Sequence, residues 1–234
     1  MLIINYVKIN ENVTINKLLD LTQFISSERV NNIKRFRFEE DKIRSILGEL
    51  LVRYTICKNS SIKNSDIVFK KNEFGKPYID CNYGIQFNLS HSGSYLICAI
   101  SDQKIGIDIE KIQDIDIDID IDIASNFFCK SEYDEISSVP NLKKYEYFYS
   151  YWCLKESYIK YIGEGLTIPL NSFCFEIVDE NIKVIKSNEE KKEKFTLLPI
   201  SNNYKAAVCY LAAEIETISE VAVDDIITYF ISEI

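Results

Sequence analysis

Apolar positions change their spacing several times along the chain, and each change predicts an element. Loose alternation over Leu2–Ile9 predicts a strand. Helical spacing predicts helices over Thr14–Ile25 and Arg29–Phe38, with Ser26 and Ser27 as caps between them. Ile43, Ile46, Leu47, Leu50, Leu51 and Tyr54 form one stripe of a helix predicted over Glu39–Cys57, with Arg44 and Arg53 off it. A short strand follows over Asp66–Phe69, then a turn at Gly75 and Pro77 that holds Lys76. Phe87–Ile100 reads as two apolar strands separated by a polar break, Ser90–Gly93. The isoleucines of Ile105–Lys111 favour a strand with Ile105, Ile107 and Ile109 on one face and Asp108 and Glu110 on the other.

The second half begins with an Asp-Ile run, Asp114–Ile123. It reads as an expanded linker or a charged edge strand. A short helix is expected within Ala124–Val139, starting near Ser131, and a long aromatic one over Tyr145–Tyr161, ended by Gly163 and Gly165. Strands are predicted over Phe173–Val178, Lys183–Ile185, Phe195–Leu198 and Ala206–Ala212, then one more strand and a short helix in Ile215–Ile234. The fold class is therefore α+β. The order, a long helix followed by strands, occurs twice, so we expect two similar halves, residues 1–104 and 105–234, packed face to face as a pseudo-dimer.

Composition narrows the class. An apolar share of 47% in 234 residues supports a substantial core. A net charge of −9 disfavours a general nucleic-acid binder. Between Arg29 and Lys58, however, eight Lys and Arg stand against four Asp and Glu, a local net of +4. The seven cysteines are scattered, odd in number and without a C-x-x-C pair; most read as buried thiols, which suits a reducing cytoplasm. One histidine and no paired cysteines argue against zinc. Neither a signal peptide nor a membrane span is evident, so a soluble cytoplasmic protein is expected.

The candidate chemistry starts at Ile105–Lys111. Two carboxylates side by side repel each other, and a divalent cation with a taste for hard oxygen removes that cost. Gly106 would let a ligand approach closely. Taken alone, the heptapeptide is an edge strand with a solvated acidic face. The helix around Trp152–Leu166 changes this, because Glu156 and Lys160 are spaced i,i+4 and share a face. Three carboxylates and a lysine could hold Mg²⁺ and a diphosphate. Upstream, Ser90 and His91 alternate in direction and cannot be a nucleophile–base pair, although the polar break around them can bind phosphate.

Four segments, GKPYI, FNLSHSG, IGIDIEK and WCLKESYIKYIGEGL, stand in the order and spacing of a known family. The chain resembles the 4′-phosphopantetheinyl transferases of the Sfp type, in the branch with KES in the last motif, from its N-terminus to about Ala212. The resemblance implies Mg²⁺-dependent transfer of the phosphopantetheine arm of coenzyme A to a serine of an acyl or peptidyl carrier protein, with 3′,5′-ADP leaving. It implies Asp108, Glu110 and Glu156 as metal ligands, Glu156 also as general base, and Lys160 on the diphosphate. Lys76, Ser90 and His91 would hold the nucleotide end, and Arg29, Lys34, Arg35 and Arg44 would supply charge for the 3′-phosphate. Asn32 stands where a lysine is common in the family, and the Asp-Ile run lengthens the connection after Ile112. A site completed between two internal halves suggests a monomer. Two other classes fit parts of the pattern: a metal-dependent nuclease, opposed by the net charge, and a calcium- or partner-binding module built on the Asp-Ile run, opposed by its lack of glycine turns.

Overall fold

Pairing of β1 (Leu2–Lys8) with distant strands organises the first part of the chain. A computed structural model describes residues 1–80, 84–113, 117–178, 181–187, 189–211 and 214–232. The chain divides into two compact units, Met1–Gln103 with Ala213–Ile234, and Lys104–Ala212.

In the first unit, the expected helix after β1 is α1 (Ile15–Leu18), continued as a 3₁₀ turn over Leu19–Phe24. Ser26 then caps α2 (Ser27–Ile33), its hydroxyl accepting from the Arg29 N–H. The helix ends earlier than Phe38, and α3 (Glu39–Asn59) follows. Ile43, Ile46, Leu47, Leu50 and Leu51 are buried as their spacing requires. Glu49 and Arg53 are buried too, because each finds a charged partner there. A small hairpin, β2 (Phe69–Lys71) and β3 (Pro77–Ile79), precedes β4 (Gln86–Ser92) and β5 (Tyr95–Ser101). β5 runs antiparallel to both β4 and β1. The anticipated polar break is thus strand: Ser90 pairs with Ile97 and His91 with Leu96, and the turn falls at Gly93, whose φ of 53° suits glycine.

The second unit opens with β6 (Ile105–Lys111), where the sequence placed it. The Asp-Ile run is neither linker nor edge strand from Ile117 onward. It starts α4 (Ile117–Phe127), and residues 114–116 lie outside the described ones. Packing overrides the two-residue period: Ala124 is buried and Ile121 and Ile123 pack on the core of this unit. α5 (Lys130–Ser138) and α6 (Asn141–Ile162) follow, and Gly163, at φ 86°, ends α6. The remaining strands are β7 (Cys174–Val178), β8 (Asn181–Lys186), β9 (Glu189–Glu190), β10 (Lys194–Leu197) and β11 (Tyr204–Tyr210). The order β10-β11-β6 forms the antiparallel sheet on which α6 lies. A disulfide joins Cys129 to Cys174, so these two are not among the buried thiols expected of most of the cysteines. Cys57, Cys98, Cys153 and Cys209 are thiols outside the disulfide, and Cys81 lies outside the described residues.

The chain then returns to the first unit. β12 (Thr217–Glu220) pairs parallel with β1, completing the order β12-β1-β5-β4, and α7 (Val223–Ile231) packs on α3. The expected division at residue 104 gave this stretch to the second half. Backbone pairing to β1, which no local spacing encodes, takes it to the first. Among the described residues no helix is long and apolar enough to cross a membrane.

Candidate active site

In the second unit, Cys153, Glu156, Ser157 and Lys160 fall on one stripe of α6, with the i,i+3,i+4,i+7 spacing of a helix face. That stripe meets the face of β6 that carries Gly106, Asp108 and Glu110. Gly106 allows it. A side-chain carbon there would lie 2.0 Å from the Ser157 carbonyl oxygen and 2.3 Å from the Tyr161 nitrogen. What approaches Gly106 is therefore the backbone of α6, not the ligand expected from sequence. The opposite face of β6 buries Ile105, Ile107 and Ile109.

This contact brings Lys160 onto Asp108 and Glu156 within reach of both charges, while Glu110 stands two residues on along the same face of β6. Asp108 is buried, and the Lys160 ammonium lies 2.5 Å from its Oδ1. Glu156 is raised above the ordinary glutamate pKa by burial first and by the Asp108 charge second, while Lys160 pulls it down. The Cys153 thiol, which sequence reasoning did not single out, lies in the same cluster. Burial, then the charges of Asp108 and Glu110, hold its pKa well above the ordinary thiol value, so it stays protonated. It donates to the Lys205 carbonyl at 3.2 Å.

The donor set suits a hard cation. The Asp108 charge raises the cost of ionising Glu156, and Asp108 and Glu110 together bear on one thiol. An ion with oxygen ligands offsets that repulsion. Among the described residues no three His, Cys, Asp or Glu side chains already converge as ligands. The Lys160 ammonium sits on Asp108 and supplies the positive charge.

The first unit holds a second cluster. A cavity of about 310 Å³ is lined by Arg29, Asn32, Lys70, Lys71 and His91, with Phe69, Phe87 and Leu89 as apolar wall. Glu49 fixes its floor, accepting from the Ser26 N–H at 2.6 Å, the Ser26 hydroxyl at 2.9 Å and Arg29 Nε at 3.2 Å. Arg53 backs Glu49 at 2.9 Å, so Arg29 is presented by a buried carboxylate that is itself neutralised. His91 is exposed and Ser90 buried, as their alternation on β4 predicts.

Of the residues expected at the nucleotide, Arg29 and His91 line this cavity. Lys34 and Arg35 are exposed just beyond α2. Arg44 binds Asp41 at 2.5 Å and reaches the Gly93 carbonyl at 3.4 Å. Lys76 is half-buried in the β2–β3 turn, where its N–H donates to Asn72 Oδ1 at 2.8 Å. Lys70 and Lys71 were missed. Their strand is only three residues long, too short for a period to show.

Two family models match. Residues 104–209 fit the 4′-phosphopantetheinyl transferase superfamily, and residues 12–103 fit the 4′-phosphopantetheinyl transferase N-terminal model. The chain is 36% identical over 216 residues to the 4′-phosphopantetheinyl transferase gsp of Aneurinibacillus migulanus, covering 92% of this chain and 88% of that one. It is 38% identical over 187 residues to the 4′-phosphopantetheinyl transferase Sfp of Bacillus subtilis (strain 168), covering 80% and 82%.

Proposed function

The chain belongs to the 4′-phosphopantetheinyl transferase family, and on that premise we propose how its own residues carry the transfer. Coenzyme A supplies the phosphopantetheine arm and a serine of an acyl or peptidyl carrier protein receives it. The serine oxygen bonds to the phosphorus that bears pantetheine. The bond from that phosphorus to the bridging oxygen of the diphosphate breaks, and 3′,5′-ADP leaves with the electron pair. The serine proton goes to Glu156.

The raised pKa of Glu156 supports this role, since a base works best with a pKa nearer the working pH. Lys160 is placed to neutralise phosphate charge once it leaves Asp108. Asp108, Glu110 and Glu156 would hold Mg²⁺, which polarises the diphosphate and stabilises the leaving oxygen when bound. In the first unit, Arg29 and His91 would take the 3′-phosphate, and Lys70 and Lys71, paired with Asp80 at 2.5 Å and with the cavity's own Glu28 at 2.6 Å, would add charge on leaving those carboxylates. Lys34, Arg35, Arg44, Lys76 and Ser90 complete the proposed nucleotide set. The proposal includes a cytoplasmic monomer that binds neither nucleic acid nor membrane.

The observation that carries the reading is the convergence of Asp108, Glu156 and Lys160 where α6 crosses Gly106. Mass spectrometry of an unmodified carrier protein incubated with the enzyme, coenzyme A and Mg²⁺ tests it. A Mg²⁺-dependent gain of the phosphopantetheine mass is expected. No gain with acyl and peptidyl carriers alike would overturn it.

A further inference from the structure

Lys155 precedes Glu156 and faces away from β6 into the apolar interior of the second unit. It is fully buried, as is Glu132 of α5, and their charged atoms lie 2.8 Å apart. The Lys155 ammonium donates to the carbonyls of Leu170 at 2.8 Å and Phe173 at 3.0 Å. Glu132 accepts from the Cys129 N–H at 2.9 Å and the Phe175 N–H at 2.8 Å. The Cys129–Cys174 disulfide ties together the two segments that make these contacts. Rings of Phe128, Phe173 and Phe175 stand 5.2, 4.6 and 5.8 Å from the ammonium.

A buried ion pair gains little net stability over apolar side chains of similar size. What this one supplies is direction. Each partner is held by several bonds of fixed geometry, so turning α6 about its axis breaks them together. Glu156 lies one residue on, about 100° around the helix. Gly106 sets how closely α6 approaches β6, but close approach alone does not fix rotation. We infer that Lys155 is a positioning residue: through Glu132 it fixes the rotation of α6 and so the place of Glu156 beside Asp108. The inference rests on the reading of Glu156 as metal ligand and base.

The test uses the double variant Glu132→Gln/Lys155→Met, in which Gln keeps an acceptor for one of the two backbone N–H groups and no buried charge is left unpaired. Mn²⁺ uptake in the presence of coenzyme A is read from the loss of the free-ion paramagnetic resonance signal. Coenzyme A affinity without metal is read by calorimetry, and kcat is measured separately. The folded variant is expected to bind Mn²⁺ more weakly by about 10–100-fold and to lose kcat in proportion. Its coenzyme A affinity stays within about twofold, a split that general loosening of the fold would not give. If the double variant does not fold, Glu132→Gln alone, which leaves Lys155 its bonds to the Leu170 and Phe173 carbonyls, carries the same measurements. Wild-type Mn²⁺ binding and kcat in a folded variant would overturn the inference. Failure of the underlying reading is distinguishable, because then Glu156→Ala itself retains transfer or the wild type takes up no Mn²⁺.

Discussion

The Ser157 carbonyl oxygen of α6 occupies the space that a side chain at Gly106 of β6 would fill, 2.0 Å from where a Cβ would stand. Backbone on both sides leaves nothing flexible to give way. Gly106→Ala must therefore push α6 off the sheet and carry Glu156 and Lys160 with it. We expect a loss of at least about 3 kcal/mol, at the upper end of ordinary overpacking. Urea unfolding reads the loss, and transfer should fall with it. An unchanged midpoint would mean that the helix tolerates displacement.

Asp108 accepts from Lys160 across the site. Removing either proposed metal ligand, by Asp108→Ala or Glu156→Ala, should leave a folded protein whose transfer to carrier serine drops by about 100-fold or more, as expected when a charge-stabilising group is lost. Circular dichroism checks the fold and the carrier mass checks transfer. Near-wild-type turnover by either variant would remove that residue from the site.

Glu156 also sets a pH dependence. Its carboxyl is raised above the ordinary 4.5 by burial and by Asp108. Folding therefore takes up a proton in the window above 4.5. The group's contribution is fully present below that value and is lost as the pH climbs through the raised pKa. Glu156→Gln, neutral throughout, should melt above the wild type at pH 7 without divalent cation, and the gap should close as the pH falls toward 4.5. A wild type that melts higher at pH 7 would contradict the sign.

His91 stands at the mouth of a cavity that also presents Arg29 and two lysines. His91→Ala should raise KM for coenzyme A about tenfold, an energy of about 1.4 kcal/mol, with kcat little changed. The opposite split would move His91 into the chemistry.

The Cys129–Cys174 bridge spans 45 residues of chain. Chain entropy predicts that its reduction costs about 2–4 kcal/mol. Thermal melts with and without a phosphine reductant measure this, and equal melting would assign the bridge no share in stability.

The elements that carry the site were legible because their periods are clean. Ile105–Glu110 alternates cleanly, and α6 keeps Glu156 and Lys160 four apart. The supports were not. Arg53 and Lys155 look like surface cations; Arg53 is buried on Glu49, one turn back on its own helix, and on Asn64 beyond the helix end, while Lys155 needs Glu132 of another helix. Gly106 was legible as a point of close approach but not as to what approaches. α4 reverses the local signal altogether, since an alternating run chose helix once Ala124 had a core to enter. The pairing of β12 with β1 links residues more than two hundred apart, which no window could reveal.

That last pairing has a bearing on how the protein is made. The second unit is one uninterrupted stretch, so it can complete its own sheet while translation continues. The first unit cannot. β1 is made before the second unit, yet the edge it offers to β12 stays open until the stretch that follows that unit has been made. At usual elongation rates the intervening unit imposes a wait on the order of 5–20 s. During that interval an apolar strand edge is available to other nascent chains. The sheet that carries His91 is thus the one that closes late, after the second unit has been made.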